Sequence, residues 1–182
     1  MTMRKFIFNV TTAICLFAFF VASINAQVCR PKETPQTISA GNFDFTQGVS
    51  PGEIAVDLLT GLKWQRCTYG QTWNMTTQQC TGNPVLLSWS EALQIAANSG
   101  LRLPDIKQLS SILDLQCINP PFNLQIFPQT YASEDYGLWT SSPHVESTIA
   151  DKTTIWYVGL SLGRLDYRAL DLKNYVRFLV VP

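Results

Sequence analysis

Histidine is nearly absent from this chain: His144 is the sole one among 182 residues. One imidazole cannot populate the usual histidine-dependent triads without a convincing nucleophile motif, and none occurs. Charge is also scarce, at 14% of residues, and 13 basic side chains balance 13 acidic ones. Such a chain has no global field to attract nucleic acid or anionic membrane, so a polyanion site would have to be a local cluster of Lys and Arg. Heptads, tandem repeats, low-complexity tracts and CxxC spacings are lacking, which sets aside repeat architectures and the common zinc modules. What is plentiful is apolar and aromatic material, 46% and 12% of residues, ample for one core in a chain about one domain long.

The first residues set the compartment. Arg4 and Lys5 precede an apolar run from Phe6 to Ile24, and small Ala26 follows. The pattern predicts a secretory signal peptide over residues 1–26, with Gln27 as the mature N-terminus; a retained membrane anchor is the alternative for a run of that length. Cys15 leaves with the signal, and Cys29, Cys67, Cys80 and Cys117 remain. An even set in an oxidising compartment reads as two disulfides, of which Cys67 with Cys80 is the natural local pair and Cys29 with Cys117 the remainder. Two basic residues also leave, so the mature chain carries eleven basic and thirteen acidic groups, a net charge of −2. The expectation is a secreted, periplasmic or cell-surface protein with no membrane span after cleavage and no nucleic-acid partner.

Residues 27–52 read as a polar lead segment. In EIAVDLLTGLKWQRC, Asp57 and Gly61 frame a hairpin turn, with Ile54 and Val56 before it and Leu62 and Trp64 after it. Ser88 and Glu91 form a capping box for a helix in which Trp89, Leu93 and Ala96 or Ala97 recur at helical spacing, ending near Gly100. LRLPDIKQLSSILDL predicts a second helix entered through Pro104 and Asp105, with Leu109, Ile112 and Leu113 as its apolar stripe. A proline-rich stretch from Asn119 to Gln129 argues for an ordered loop, and the C-terminal third is strand-like with a turn at Gly163. The fold class is therefore α+β.

The blocks VDLLTGLKWQ, WSEAL, LRLPDIKQL, LWTSS and the terminal VRF together resemble the Lcl C-terminal domain family, named for a bacterial collagen-like adhesin. The resemblance runs from about Glu53 to Val181, and residues 53–182 are taken as the domain. It implies a C-type-lectin-like fold, two helices packed on short twisted antiparallel sheets, here stapled by disulfides. The family's usual Trp-Arg-Leu-Pro is replaced by Leu101, Arg102, Leu103 and Pro104. The same superfold includes formylglycine-generating enzymes, but their reactive cysteine pair in the C-terminal part has no counterpart after Cys117, so no enzyme and no cofactor is expected. Calcium-dependent sugar binding lacks its Pro-centred loop and Trp-Asn-Asp triplet; a residual metal set would draw on Asn123, Glu134 and Asp135, the last two adjacent in sequence and read as part of a surface loop.

A noncatalytic binding or adhesion module is the reading that remains, with a polysaccharide, a sulfated glycan or an envelope protein as partner. Aromatic residues on disulfide-stapled loops offer flat contact area at low entropic cost. Tyr69 and Trp73 in the short cysteine loop are the preferred contacts, followed by Tyr131, Tyr136 and Trp139, whereas Trp64, Trp89, Trp139 and Trp156 lie in regular elements and read as core. Lys63, Arg66 and Lys107 would form a local basic patch for a sulfated glycan. Arg102, at the entrance to a packed helix, is expected to be buried and bonded to backbone carbonyls or to Asp57. The alternatives are a structural subunit of a surface fibre or secretion assembly, possible as an oligomer, and an enzyme of the formylglycine-generating type.

Overall fold

A computed structural model describes residues 26–145 and 153–181. The expected signal peptide, apart from Ala26, lies outside the described residues. The chain begins with β1 (Val28–Cys29), a 3-10 turn (Ala40–Asn42) and β2 (Phe43–Asp44), followed by β3 (Ile54–Asp57) and β4 (Lys63–Gln65). Next come β5 (Thr72–Asn74), β6 (Gln79–Thr81), β7 (Leu87–Ser88), α1 (Trp89–Asn98), β8 (Leu101–Arg102), α2 (Ile106–Ser110) and β9 (Cys117–Ile118). The last third holds β10 (Gly137–His144), β11 (Thr154–Gly159), β12 (Leu165–Ala169), β13 (Lys173–Asn174) and β14 (Leu179–Val180).

The named strands pair antiparallel into a five-stranded sheet of order β2-β3-β4-β14-β8, a three-stranded sheet β10-β11-β12, and the ribbons β1-β9, β5-β6 and β7-β13. This is a mixed fold of few helices and several small sheets. The two disulfides join Cys29 to Cys117 and Cys67 to Cys80, as expected from the cysteine count. Among the described residues no helix is long and apolar enough to cross a membrane, and two disulfides fit an oxidising, non-cytoplasmic compartment.

Local chemistry accounts for the elements. The β3-β4 turn closes because the Asp57 carboxylate accepts from Leu59 N at 2.9 Å and Thr60 Oγ1 at 2.6 Å, while Gly61 takes φ +71°. Helix α1 starts on the reciprocal capping box: Glu91 N donates to Ser88 Oγ, and Ser88 N donates to Glu91 Oε2 at 2.7 Å. A cap of this kind stabilises by about 1 kcal/mol. Its buried face is Ala92 and Ala96, with Trp89 and Leu93 only partly buried beside them. The second helix is shorter than its apolar stripe predicts. It starts on the Asp105–Gln108 cap but gives way after Ser110, where the Ser110 and Ser111 hydroxyls turn back onto the Lys107 and Gln108 carbonyls at 3.0 and 2.7 Å. Such local bonds compete with the helical ladder. Ile112 and Leu113 are buried all the same, the first from a turn and the second from a bridge to Phe122.

The core has two parts. One gathers Trp64, Leu109, Ile112, Phe122, Phe127 and Leu138, and the other Leu87, Ala92, Leu103, Trp139, Ile155 and Phe178. The proline-rich loop is irregular, as expected, yet supplies the fully buried Phe122, Ile126 and Phe127.

Candidate functional site

Strand alternation decides what β4 presents. Trp64 points into the core and is fully buried, so Lys63 and Gln65 fall on the opposite face. The chain then leaves the sheet through Arg66 and Cys67, and the disulfide to Cys80 ties this exit to the β5-β6 hairpin.

Arg66 is 7% exposed. Its Nε donates to Ile126 O at 2.7 Å, Nη1 to Gly52 O at 2.9 Å and Nη2 to Gln125 O at 2.8 Å. The guanidinium is sandwiched between the Phe45 and Trp73 rings, 4.6 and 4.4 Å from their centroids. Burial lowers its pKa to about 10, which leaves it charged at neutral pH. Trp73 is held from three directions: by Arg66 on its face, by its own Nε1 donating to Pro51 O at 3.1 Å, and by the backbone of Gly52. Gly52 adopts φ +84°, and a Cβ there would sit 2.8 Å from Trp73 Cζ2. The close approach therefore needs glycine.

Beside the indole lies an open cleft of about 560 Å³, bordered by Glu53, Gln65, Tyr69, Gln71, Trp73 and Leu101. Tyr69 is fixed by its backbone N–H to Val176 O at 2.9 Å and by an edge-to-face contact with Phe178 at 5.7 Å. The two preferred aromatic contacts thus line one cleft, along with amide and hydroxyl groups from Gln65, Gln71, Thr68 and Thr72. Glu53 is the one charged side chain among these lining residues.

The other expected contacts are placed elsewhere. Trp139 is fully buried and donates Nε1 to Leu87 O at 2.9 Å, so it serves the core and no ligand reaches it. Tyr136 is half-buried, edge-to-face with Tyr175 at 5.7 Å. Tyr131 is 41% exposed and lines a separate groove. Lys63 is half-buried on β4 and Lys107 is exposed on α2, while the Arg66 donors already point at carbonyls. A basic patch centred on Arg66 is therefore not what the fold builds. Glu134 and Asp135 sit in an exposed irregular segment, and the Asn123 amide is engaged with Ile38 O and Gln125 N. Among the described residues, no three His, Cys, Asp or Glu side chains converge as a metal site.

Arg102 is a correction. It is exposed on β8, between inward-facing neighbours, and donates to Gln108 Oε1 at 2.9 Å; the Asp57 carboxylate is engaged by its own turn. The buried arginine bonded to carbonyls is instead Arg66, together with Arg177. Arg177 is fully buried, donates to Gln65 O, Arg66 O, Thr68 Oγ1 and Thr130 Oγ1, and lies 4.6 Å over the Phe127 ring. Burial first, then repulsion from Arg66, lowers its pKa to about 9. Sequence reasoning also missed Phe45, Pro51 and Gly52, because nothing in the local pattern announces that a segment some twenty residues upstream will back Trp73.

No curated protein and no solved structure matches the chain. The model of the Lcl C-terminal domain matches residues 53–180, which span the β3-β4 hairpin, the residues lining the cleft and all the buried residues of both core clusters except Ile38 and Phe43. The chain belongs to the Lcl C-terminal domain family.

Proposed function

We propose that this protein is an exported, noncatalytic binding module of the bacterial envelope, with a C-type-lectin-like fold, that recognises an uncharged polysaccharide through the Trp73–Tyr69 cleft. The observation that carries the reading is the immobilised indole: Trp73 is locked by Arg66, Pro51 and Gly52 beside a cleft edged with amides and hydroxyls. A ring fixed before binding loses little entropy on stacking against a sugar face. The Gln65 amide and the Glu53 carboxylate supply a donor and acceptors for sugar hydroxyls, the Gln71 amide being held by Thr68 N and Gln129 O. Because Glu53 is the sole charge lining the cleft, a neutral glycan suits it better than a sulfated one. A second reading, a subunit of an envelope assembly, draws support from β12, which forms one edge of its sheet and exposes Leu165 and Tyr167.

The test is binding of the purified, oxidised protein to a panel of neutral and sulfated glycans, with and without chelator and across salt concentrations. Saturable binding to neutral glycans, indifferent to chelator and salt and weakened about tenfold by Trp73→Ala, is expected. Binding confined to sulfated glycans with steep salt dependence would refute the neutral-glycan reading. Concentration-dependent self-association without glycan binding would favour the assembly subunit.

A further inference from the structure

The groove that Tyr131 lines has a volume of about 760 Å³ and is bordered by Gln27, Gln79, Asn119, Leu124, Pro128 and Gln129 as well. Every side chain on its border is uncharged, Ala26 of the expected signal peptide included; cleavage after Ala26 places the Gln27 α-amino group at one end of the groove. It offers a proline and tyrosine surface on one hand and the amides of Gln79 and Gln129 on the other, the Gln27 amide nitrogen being spent on Pro120 O and Phe122 O and the Asn119 oxygen on Ser161 Oγ; uncharged groups of both kinds suit a polar ligand.

Three features join this groove to the Trp73 cleft. The β5-β6 hairpin supplies Thr72 and Trp73 to the cleft and Gln79 to the groove. The ridge between them is a contact from Gln71 Nε2, on the cleft side, to Gln129 O, on the groove side, at 3.5 Å; Gln129 Nε2 in turn donates to Gln79 Oε1 at 3.2 Å. Below, one buried nitrogen serves both: Arg177 Nη2 donates to Thr68 Oγ1 of the cleft at 3.3 Å and to Thr130 Oγ1 of the groove at 2.9 Å. The two depressions therefore share a hairpin, a rim and a foundation.

Backbone strain also falls on the border of the groove. The non-glycine residues with positive φ among the described residues are Gln78, Asn119 and Gln129, at +53°, +54° and +53°. Asn119 and Gln129 border the groove, whereas Gln78 lies in the β5-β6 turn and borders the depression lined by Arg66. Left-handed conformations of such residues persist only where the surroundings impose them, and they gather at ligand sites.

We infer that the Tyr131 groove and the Trp73 cleft are two subsites of one extended site, so that the protein grips a neutral polysaccharide along its chain, across the Gln71–Gln129 ridge, and not at an end or a single sugar. The inference rests on the glycan reading above and adds the length of the ligand and the second contact surface. Linking two modest contacts through one ligand raises affinity by about a hundredfold or more once the ligand spans both.

The experiment is titration of the oxidised full chain with cello-, laminari- and manno-oligosaccharides of increasing length, from disaccharide to octasaccharide, in parallel with Trp73→Ala, Tyr131→Ala and Gln79→Ala. All three substituted side chains lie at least partly at the surface, and thermal melting of each variant confirms that it folds. Expected is a steep rise of affinity at the length that first spans both subsites. Tyr131→Ala and Gln79→Ala should abolish that rise, whereas Trp73→Ala lowers the affinity for all lengths. Affinity that is flat with length, or a length dependence untouched by Tyr131→Ala and Gln79→Ala while Trp73→Ala weakens binding, overturns the second subsite and leaves the glycan reading standing. Absence of binding to every oligomer tested overturns both.

Discussion

Replacing Arg66 by Ala tests whether the guanidinium is the support of the cleft or a ligand contact. Its three hydrogen bonds end on backbone carbonyls, one of them, Ile126 O, fully buried and the other two, Gly52 O and Gln125 O, partly reached by solvent. An unsatisfied buried acceptor costs about 1–3 kcal/mol, while water can satisfy much of the other two. Loss of the stacking on Phe45 and Trp73 adds about 0.5–1 kcal/mol for each ring. The expected destabilisation is thus about 3 kcal/mol, or roughly 6–12 °C in Tm for a domain of this size. Arg102→Ala is the comparator, since its exposed side chain makes one bond to Gln108 and a surface substitution of that kind stays within about 0.5 kcal/mol. The assay is thermal unfolding of the oxidised protein by circular dichroism, with tryptophan emission followed in parallel because Trp73 loses its packing partner. If Arg66→Ala melted within about 2 °C of the parent, or if Arg102→Ala lost as much as Arg66→Ala, the assignment of the structural role to Arg66 would be wrong.

Gly52→Ala should destabilise by about 1–3 kcal/mol, from the left-handed φ of +84° and the 2.8 Å approach to Trp73, and should change Trp73 emission; an unaltered melt and spectrum would show that the indole is not seated on Gly52. Removing a disulfide by paired Cys→Ser changes should cost about 3 kcal/mol for Cys67–Cys80 and between about 4 and 5 kcal/mol for Cys29–Cys117, whose sequence separations are 13 and 88. Equal losses in denaturant titrations would argue that loop length is not what governs them. Hydrogen bonds from the Ser88 backbone and hydroxyl hold the Glu91 carboxyl below its ordinary value of 4.5. Its contribution is therefore complete above that value and is lost as pH falls through the lower folded-state pKa. Glu91→Gln keeps an acceptor without titrating, so its Tm should fall less steeply than the parent's below about pH 4.5; parallel acid limbs would refute the assignment.

Elements whose signals are local were legible in advance. Ser88 with Glu91, Asp105 with Gln108, and Asp57 with Gly61 each act over three or four residues, so the caps and the hairpin turn appear where the chain predicts them. The end of α2 was not legible, because Leu109, Ile112 and Leu113 keep helical spacing even though the serine hydroxyls break the ladder and the last two are buried from a turn and from a bridge to Phe122. Arginine roles were harder still. Arg102 and Arg66 both lie at a strand end, after Leu101 and Gln65, and only the position of the strand in its sheet decides that one faces water while the other meets the carbonyls of the 125–126 loop.

The amino-acid sequence by itself determined the family, the α+β class, the two disulfide pairs and the short-range caps, because each depends on residues near one another or on the count and order of a few blocks. Tertiary structure alone decided the site. The cleft exists because Gly52, Arg66 and Trp73, separated along the chain, are brought face to face, and because Arg177 from the C-terminal part lies beneath Thr68 and Thr130. Contacts between distant segments follow from how the sheets and loops close on a common core, and no local pattern of residues encodes that closure.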